Sequence, residues 1–427
     1  MKKVLAWLLA ASLLLGATAA LVTWLNLRDE VDVRIPYAAI TASETLIERG
    51  AYLARAGNCI SCHTERGGAD YAGGRGIATP FGTVYSSNLT PDEKTGIGGW
   101  SPAHFWRAMH NGRSKDGRLL YPAFPYPNYT LVTREDSDAL FAYLASLPAV
   151  ERTRTPNALR FPYDSQAALA VWRALYFKPG VYEADKQRSA EWNRGAYLVR
   201  GLGHCAACHT ARNALGASSE ALDLAGGLIP MQNWYAPSLT SPHEAGVGDW
   251  DRRHIVELLK TGVSPRASAT GPMAEVVLRS TQYLSEADLG AMAQFLQELA
   301  PPAAVAVKAA PAAPAQVLTL GAKLYDQHCA QCHGEQGRGV PRAYPALAGN
   351  RAVTMPQTAN LVQIVLNGGY APATQGNPRP FGMPPFVLEL SDSDIAAVLT
   401  HIRQSWGNQA GVVTPLEVNR MRAASVR

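Results

Sequence analysis

All six cysteines of this chain fall in one short pattern repeated three times: Cys59-Ile60-Ser61-Cys62-His63, Cys205-Ala206-Ala207-Cys208-His209 and Cys329-Ala330-Gln331-Cys332-His333. In C-x-x-C-H the two thiols can add across the two vinyl groups of one haem, and the adjacent histidine is then held under the iron as an axial ligand. The pattern predicts three covalently bound haem c groups, attached at Cys59, Cys62, Cys205, Cys208, Cys329 and Cys332 and ligated by His63, His209 and His333. Competing chemistries fit less well. A zinc ribbon needs its C-x-x-C pairs about 15–20 residues apart, whereas these pairs lie well over a hundred apart. Disulfides give no reason for a histidine after every pair, and a redox C-x-x-C has no reason to recur three times.

The use of each haem turns on its sixth ligand. Histidine or methionine there makes an electron carrier, and an open position makes a site for small molecules. Two methionines stand in Gly/Pro-rich sequence upstream of a helix start: Met383 in Gly382-Met383-Pro384-Pro385, eight residues before Ser391, and Met273 in Gly271-Pro272-Met273, twelve before Ser285. Both are expected ligands, in loop. The bland alternative for each is a space-filling core methionine, the role assigned, in core or on the surface, to Met231, Met292 and Met355. Around the first motif the corresponding stretch is Tyr121-Pro122-Ala123-Phe124-Pro125-Tyr126, and Phe124 cannot bind iron. Met109 is then the candidate, with His104, His110 or no protein ligand as alternatives. Behind each axial histidine the free ring N–H should donate to a backbone carbonyl, which fixes the ring and tunes the metal; Pro345 is the candidate acceptor for His333.

Positioning these residues requires helices on either side of each motif. Arg49-Gly50-Ala51-Tyr52-Leu53 precedes the first, Arg194-Gly195-Ala196-Tyr197-Leu198 the second and Gly321-Ala322-Lys323-Leu324 the third. A glycine recurring mid-helix predicts close approach of another helix. That partner is announced by Thr133-Arg134-Glu135-Asp136, Ser285-Glu286-Ala287-Asp288 and Ser391-Asp392-Ser393-Asp394, which have the capping-box form in which hydroxyl and carboxylate satisfy free backbone N–H groups. Each opens an amphipathic run: Leu140, Tyr143 and Leu144; Leu289, Met292, Phe295 and Leu296; Ile395, Val398, Leu399 and Ile402. First helix, haem motif, loops and a last helix packed on the first make the plan of a mono-haem cytochrome c domain. A middle element, Asn88-Leu89-Thr90 with Trp100 and Ser238-Leu239-Thr240 with Trp250, is shared by the first two units only, so these are closer to each other than to the third.

The expected architecture is all-α: three tandem mono-haem cytochrome c domains over residues 40–185, 186–299 and 317–406, behind an N-terminal segment 1–28. That segment is apolar from Val4 to Leu25 and approaches a membrane crossing. Ala17-Thr18-Ala19 resembles a signal-peptidase site, but the apolar run continues beyond it, which favours an uncleaved anchor with Lys2 and Lys3 in the cytoplasm and the haem domains outside. Residues 300–316 read as an Ala/Pro linker with nothing to pack, and the tail 407–427 shows little periodicity. The formal charge of +5 is offset by about six haem propionate charges, so nothing points to nucleic acid.

With Asn88-Leu89-Thr90-Pro91-Asp92, Gly96-Ile97-Gly98-Gly99-Trp100, Tyr121 to Tyr126, Trp234-Tyr235-Ala236-Pro237-Ser238-Leu239 and Gly376-Asn377-Pro378-Arg379-Pro380 in order, the chain resembles the tri-haem cytochrome c subunits of bacterial membrane-bound dehydrogenases. The resemblance implies a periplasmic subunit at the cytoplasmic membrane. It would take electrons from a separate catalytic subunit carrying a quinone, flavin or molybdenum cofactor and pass them to ubiquinone or another respiratory acceptor. Some members have Met where Phe124 stands. The residues alone argue for the same role: three haem sites, no nucleotide fingerprint and no acid–base–nucleophile cluster describe a wire rather than an enzyme. The rival readings are a catalytic cytochrome with an open first haem and a cytochrome subunit of a terminal oxidase.

Overall fold

The computed structural model describes residues 1–30, 32–33, 42–299 and 310–425. Helix α1 (Lys2–Leu27) is long and apolar. In the first region, α2 (Glu44–Ala56) leads into the motif helix α3 (Cys59–His63), followed by a hairpin β1 (Gly76–Thr79) and β2 (Gly82–Tyr85), then α4 (Pro102–Asn111), α5 (Tyr126–Tyr129) and α6 (Arg134–Ala145). A connecting arm adds strand β3 (Ala158–Leu159) to that hairpin and then forms α7 (Gln166–Tyr176), which packs on α1. The second region repeats the scheme with α8 (Ala190–Tyr197), α9 (Ala206–His209), hairpin β4 (Gly227–Ile229) and β5 (Trp234–Ala236), α10 (Arg252–Thr261), α11 (Gly271–Arg279) and α12 (Glu286–Gln297). The third has α13 (Ala315–His328), α14 (Ala330–His333), α15 (Arg351–Thr354), α16 (Ala359–Asn367), the short pair β6 (Gly369–Tyr370) and β7 (Gly382–Met383), α17 (Asp392–Arg403) and α18 (Pro415–Ser425). The expectation of a purely helical chain is thus corrected. Each region carries one small antiparallel ribbon, too short to show as alternation in the sequence.

The recurring glycines do what their spacing predicts. Helix α2 packs on α6, α8 on α12 and α13 on α17. At each crossing the glycine faces a backbone carbonyl: a Cβ on Gly50 would stand 1.9 Å from the Ala139 oxygen, on Gly195 1.9 Å from that of Ala291, and on Gly321 2.3 Å from that of Ala397. No side chain fits, so glycine sets how closely the helices approach. The second region has one residue more than the first between its Arg-Gly-Ala-Tyr-Leu and its first cysteine. The extra residue is absorbed as a π-helical turn, Leu198–Leu202, which keeps the glycine crossing and the motif in the same relation.

All three caps form, but the reciprocal box expected at each is completed only at Ser391, where the Asp394 carboxylate accepts the Ser391 N–H. In α6 and α12 the carboxylate is drawn away. Asp136 receives Arg49 (2.6 Å) and Asp288 receives Arg194 (2.7 Å), each arginine being the first residue of the Arg-Gly-Ala-Tyr-Leu segment of its own region. The tyrosines of those segments cross over: Tyr52 donates to Asp288 and Tyr197 to Asp136, both at 2.6 Å. This reciprocal exchange joins the first two regions with approximate two-fold symmetry. Their cores are likewise continuous: Leu53, Leu140 and Leu144 belong to one cluster with Leu198, Leu289 and Phe295.

The third region has its own core, built on Leu324, Val362, Leu366, Ile395, Val398 and Ile402. The tail belongs to it: Val413 and Val418 are buried, and Arg422 of α18 binds the Asp392 carboxylate at 2.7 Å. Helix α18 leaves only a faint apolar signal in the sequence, since Val418 and Met421 pack on the core while arginine, asparagine and glutamate make its other contacts. Residues 300–309 of the Ala/Pro linker lie outside the described residues. Its C-terminal end corrects the expectation of a segment with nothing to pack, since Ala313 is buried and hydrogen-bonds Gln404 at 2.9 Å.

Candidate haem-binding sites

Each C-x-x-C-H is one helical turn, with the His N–H bonded to the first cysteine's carbonyl at 2.9 Å in α9 and 3.0 Å in α14. Residues i, i+3 and i+4 of a helix share a face, so two thiols and an imidazole are presented together. None of the six cysteines is paired in a disulfide. Burial, with a smaller contribution from the second cysteine of the pair, pushes Cys59 and Cys205 up to about 12 and Cys329 up to about 11. A redox C-x-x-C needs a lowered thiol pKa, so these pairs are poorly suited to thiol–disulfide exchange. Among the described residues no group of three or more His, Cys, Asp and Glu side chains could hold a metal ion by itself, which removes the zinc-ribbon reading.

The three histidines are held alike. Nδ1 of His63 lies 2.7 Å from the Ser87 carbonyl, that of His209 2.7 Å from Pro237 and that of His333 2.9 Å from Pro345. A carbonyl only accepts, so Nδ1 carries the proton and the Nε2 lone pair is left for a metal. Burial outweighs the bond to the carbonyl and lowers the pKa of all three rings, which keeps them neutral. A neutral imidazole with a fixed tautomer beside two thiols on one helical face is the donor set covalent haem attachment requires. A second shared bond closes the loop behind each ring: Gly73 N–H to the His63 carbonyl (2.7 Å), Gly226 to His209 (2.7 Å) and Gly339 to His333 (2.8 Å).

Pro345 was the acceptor the sequence pointed to; Ser87 and Pro237 were missed. Their signal was present, because each immediately precedes the shared x-Leu-Thr element. That element's leucine N–H is tied to Tyr71 in the first region and Leu224 in the second, both at 2.8 Å. Tyr71 and Leu224 both have positive φ, 61° and 58°. The element therefore delivers a carbonyl to the histidine.

The candidate sixth ligands are placed as follows. Met383 lies on β7 and lines a cavity of about 570 Å³ with Asn367, Gly369, Tyr370, Gly382, Pro384 and Pro385. Met273 is half-buried at the start of helix α11 and packs on the core of the paired regions. Its expected loop position is corrected: Gly271-Pro272 reads as a breaker, but proline in the first turn starts a helix without loss. Met109 is buried on α4 in the cluster that holds Ile60 and Tyr129, with Cys59 and Phe124 packed against it. Both histidine alternatives lie on α4 and are held through Nδ1, His104 completing the Ser101 cap and His110 bonding the Thr130 carbonyl at 2.9 Å while stacked on Trp106.

The first two motifs abut. A Cβ on Gly57, two residues before Cys59, would lie 3.3 Å from Cys59 Sγ and 3.6 Å from Leu202 of the second region. The Gly57 carbonyl accepts from Tyr129 at 2.8 Å and faces Nε2 of His204, the residue before Cys205, at 3.3 Å. Arg75 of the first region also pairs with Glu275 of α11 at 2.7 Å.

A cytochrome c family model matches residues 47–148 and 318–406. The cytochrome c subunit of the quinone-type alcohol dehydrogenase of Gluconacetobacter polyoxogenes is 38% identical over 399 residues, 89% of this chain and 85% of that protein. The chain belongs to the cytochrome c subunits of dehydrogenases. The cytochrome c subunit of gluconate 2-dehydrogenase from Pantoea cypripedii is also 38% identical, covering 89% of this chain and 90% of its own length. The fructose dehydrogenase cytochrome subunit of Gluconobacter japonicus is 34% identical, covering 95% and 88%. Membership brings covalently bound haem c with it. The C-x-x-C-H helices at Cys59 and Cys329 fall inside the matched segments, and the one at Cys205 lies between them.

Proposed function

We propose that this chain is a tri-haem electron-transfer subunit, with one cytochrome c unit in each of residues 40–185, 186–299 and 317–406, the last completed by α18. It accepts electrons from a catalytic dehydrogenase subunit and passes them to ubiquinone or another respiratory acceptor, on the periplasmic side of a membrane held by α1. One observation carries the count of three: the second motif, outside the segments matched by the family model, repeats the His–carbonyl bond, the Gly–helix crossing and the cap of the other two.

When bound, haem c supplies reversible one-electron chemistry at iron. The chain does the rest. Cys59 and Cys62, Cys205 and Cys208, and Cys329 and Cys332 would hold each haem covalently, and His63, His209 and His333 would each give its iron a nitrogen ligand. Met273 and Met383 would supply the further ligand at the second and third sites, and Met109 at the first. Methionine ligation would raise the potential, as suits a carrier. The subunit makes no bond to the dehydrogenase's substrate. The relatives' names span alcohol, gluconate and fructose oxidation, so the substrate belongs to the partner. Purification from native membranes tests the proposal: a large dehydrogenase subunit should accompany the chain, and that enzyme's substrate should reduce all three haems. Co-purification with a many-helix oxidase would overturn it.

A further inference from the structure

Helix α7 is amphipathic the wrong way round for a water-facing helix. Its inward side carries Leu169 and the buried Arg173, whose guanidinium binds Asn26 of α1 at 2.9 Å. Its outward side is apolar. Val171 is 48% exposed and Leu175 64%, one turn apart and in line with the exposed Ala167. The arm leading into it exposes Phe161 (85%) and Tyr163. Trp172 extends the surface to Leu215 by donating to its carbonyl at 2.9 Å. Monomeric soluble proteins seldom leave such a contiguous strip uncovered.

What covers it follows from its neighbour. Helix α1 has 26 residues and no buried side chain, which at ~1.5 Å per residue makes about 39 Å, enough to cross a ~30 Å hydrocarbon core. Trp7 and Trp24, both largely exposed, lie about 26 Å apart along it, the separation of two interfacial aromatic belts. The outer end of α1 is fastened to α7: Asn26 donates to the Ala170 carbonyl (2.9 Å) and Arg28 to that of Phe177 (3.1 Å). Just beyond, Glu30 pairs with Arg113 at 3.0 Å. Helix α7 is thereby held at the depth where α1 leaves the bilayer. Apart from the inward-facing Arg173, segment 160–178 carries Arg160 and Lys178 against a single acid, Asp164, a balance that favours anionic headgroups.

We infer that the face of Phe161, Val171, Trp172 and Leu175 is embedded in the outer interface of the membrane crossed by α1, so that the first region is seated on the lipid rather than tethered above it. The inference rests on the reading of α1 as an anchor. Once the six native cysteines are thioether-bonded, an introduced cysteine is the only free thiol, so Leu175→Cys and Leu9→Cys can each be spin-labelled in the full holoprotein in nanodiscs containing anionic lipid. Asp326→Cys, exposed on α13, serves as the water-facing reference, and unchanged haem spectra verify each fold. The expected result is that labels at 175 and 9 both favour collision with oxygen over a water-soluble nickel chelate, by several-fold relative to 326. A label at 175 matching 326 while that at 9 is immersed overturns the inference, leaves the anchor standing and points to a protein partner on this face. A label at 9 matching 326 overturns both.

Discussion

The first and second C-x-x-C-H regions are built as a pair and the third as an attachment. Regions one and two share one apolar core, exchange Tyr52 and Tyr197 onto each other's Asp288 and Asp136, and bring Gly57 and His204 together just ahead of their motifs. The third region has a separate core and meets the second through polar contacts: Arg342 to Glu257 (2.6 Å), Arg351 to Asp249 (2.6 Å) and Asn360 with the backbone of Tyr235 (2.8 Å). The local plan, one glycine crossing and one His–carbonyl bond per motif, recurs in all three, while the surfaces around it decide which motifs have a fixed separation.

The largest effects should come from the glycine crossings. Gly50→Ala or Gly195→Ala places a Cβ about where a carbonyl oxygen now lies and should cost about 3 kcal/mol or more, lowering the unfolding temperature of both paired regions together. Gly321→Ala should lose haem from the third region alone. Equal loss from all three sites in a scanning-calorimetry and haem-content comparison would dissolve the distinction. Next come the methionines proposed as distal ligands. Met383→Leu and Met273→Leu should each turn one haem high-spin and lower its potential on the order of 0.1 V, a fraction of the ~0.8 V span axial ligands command. Met109→Leu should do the same at the first site and open it to carbon monoxide. If the unaltered reduced protein already binds carbon monoxide at one haem, the first site is open and Met109 is not its ligand.

Smaller again are the crossed tyrosines. Tyr52→Phe and Tyr197→Phe should each cost about 2 kcal/mol, with less than additive loss when combined. Burial and the Asp288 carboxylate raise Tyr52, so its contribution is complete below pH ~10 and is lost as pH rises beyond it. Although burial opposes it, Arg194 and Tyr52 together hold the Asp288 carboxyl below the usual range. That contribution is present above the usual carboxylate pKa and is lost as pH falls through the lowered one. Tyr52→Phe should flatten the alkaline limb of a stability-against-pH curve and leave most of the acid limb. Least of all, Arg342→Ala and Arg351→Ala should each cost under about 1 kcal/mol, these pairs being partly solvated.

Much of this was legible in the residues. Covalent chemistry fixes C-x-x-C-H spacing, a helix crossing tolerates only glycine, and a capped amphipathic run follows the 3.6-residue period, so each leaves a local mark. The crossed tyrosines do not: Tyr52 and Tyr197 were visible as repeats, but their partners lie 236 and 61 residues away. Nor did Asp136 and Asp288 advertise that their carboxylates leave the cap for arginine and tyrosine. Backbone acceptors such as Ser87 and Pro237 are chosen by conformation rather than side chain, and α18 buries little more than Val418 and Met421 beside its polar contacts, so neither shows in the apolar pattern that marks the other helices.

The central claim is that three equivalent sites are built, including the one around Cys205 that the family model passes over. Haem content per chain, measured as pyridine haemochrome on the purified holoprotein, tests it most directly. The account predicts three haems, falling to two when Cys205 and Cys208 are both replaced by alanine; two haems in the unaltered chain would contradict it.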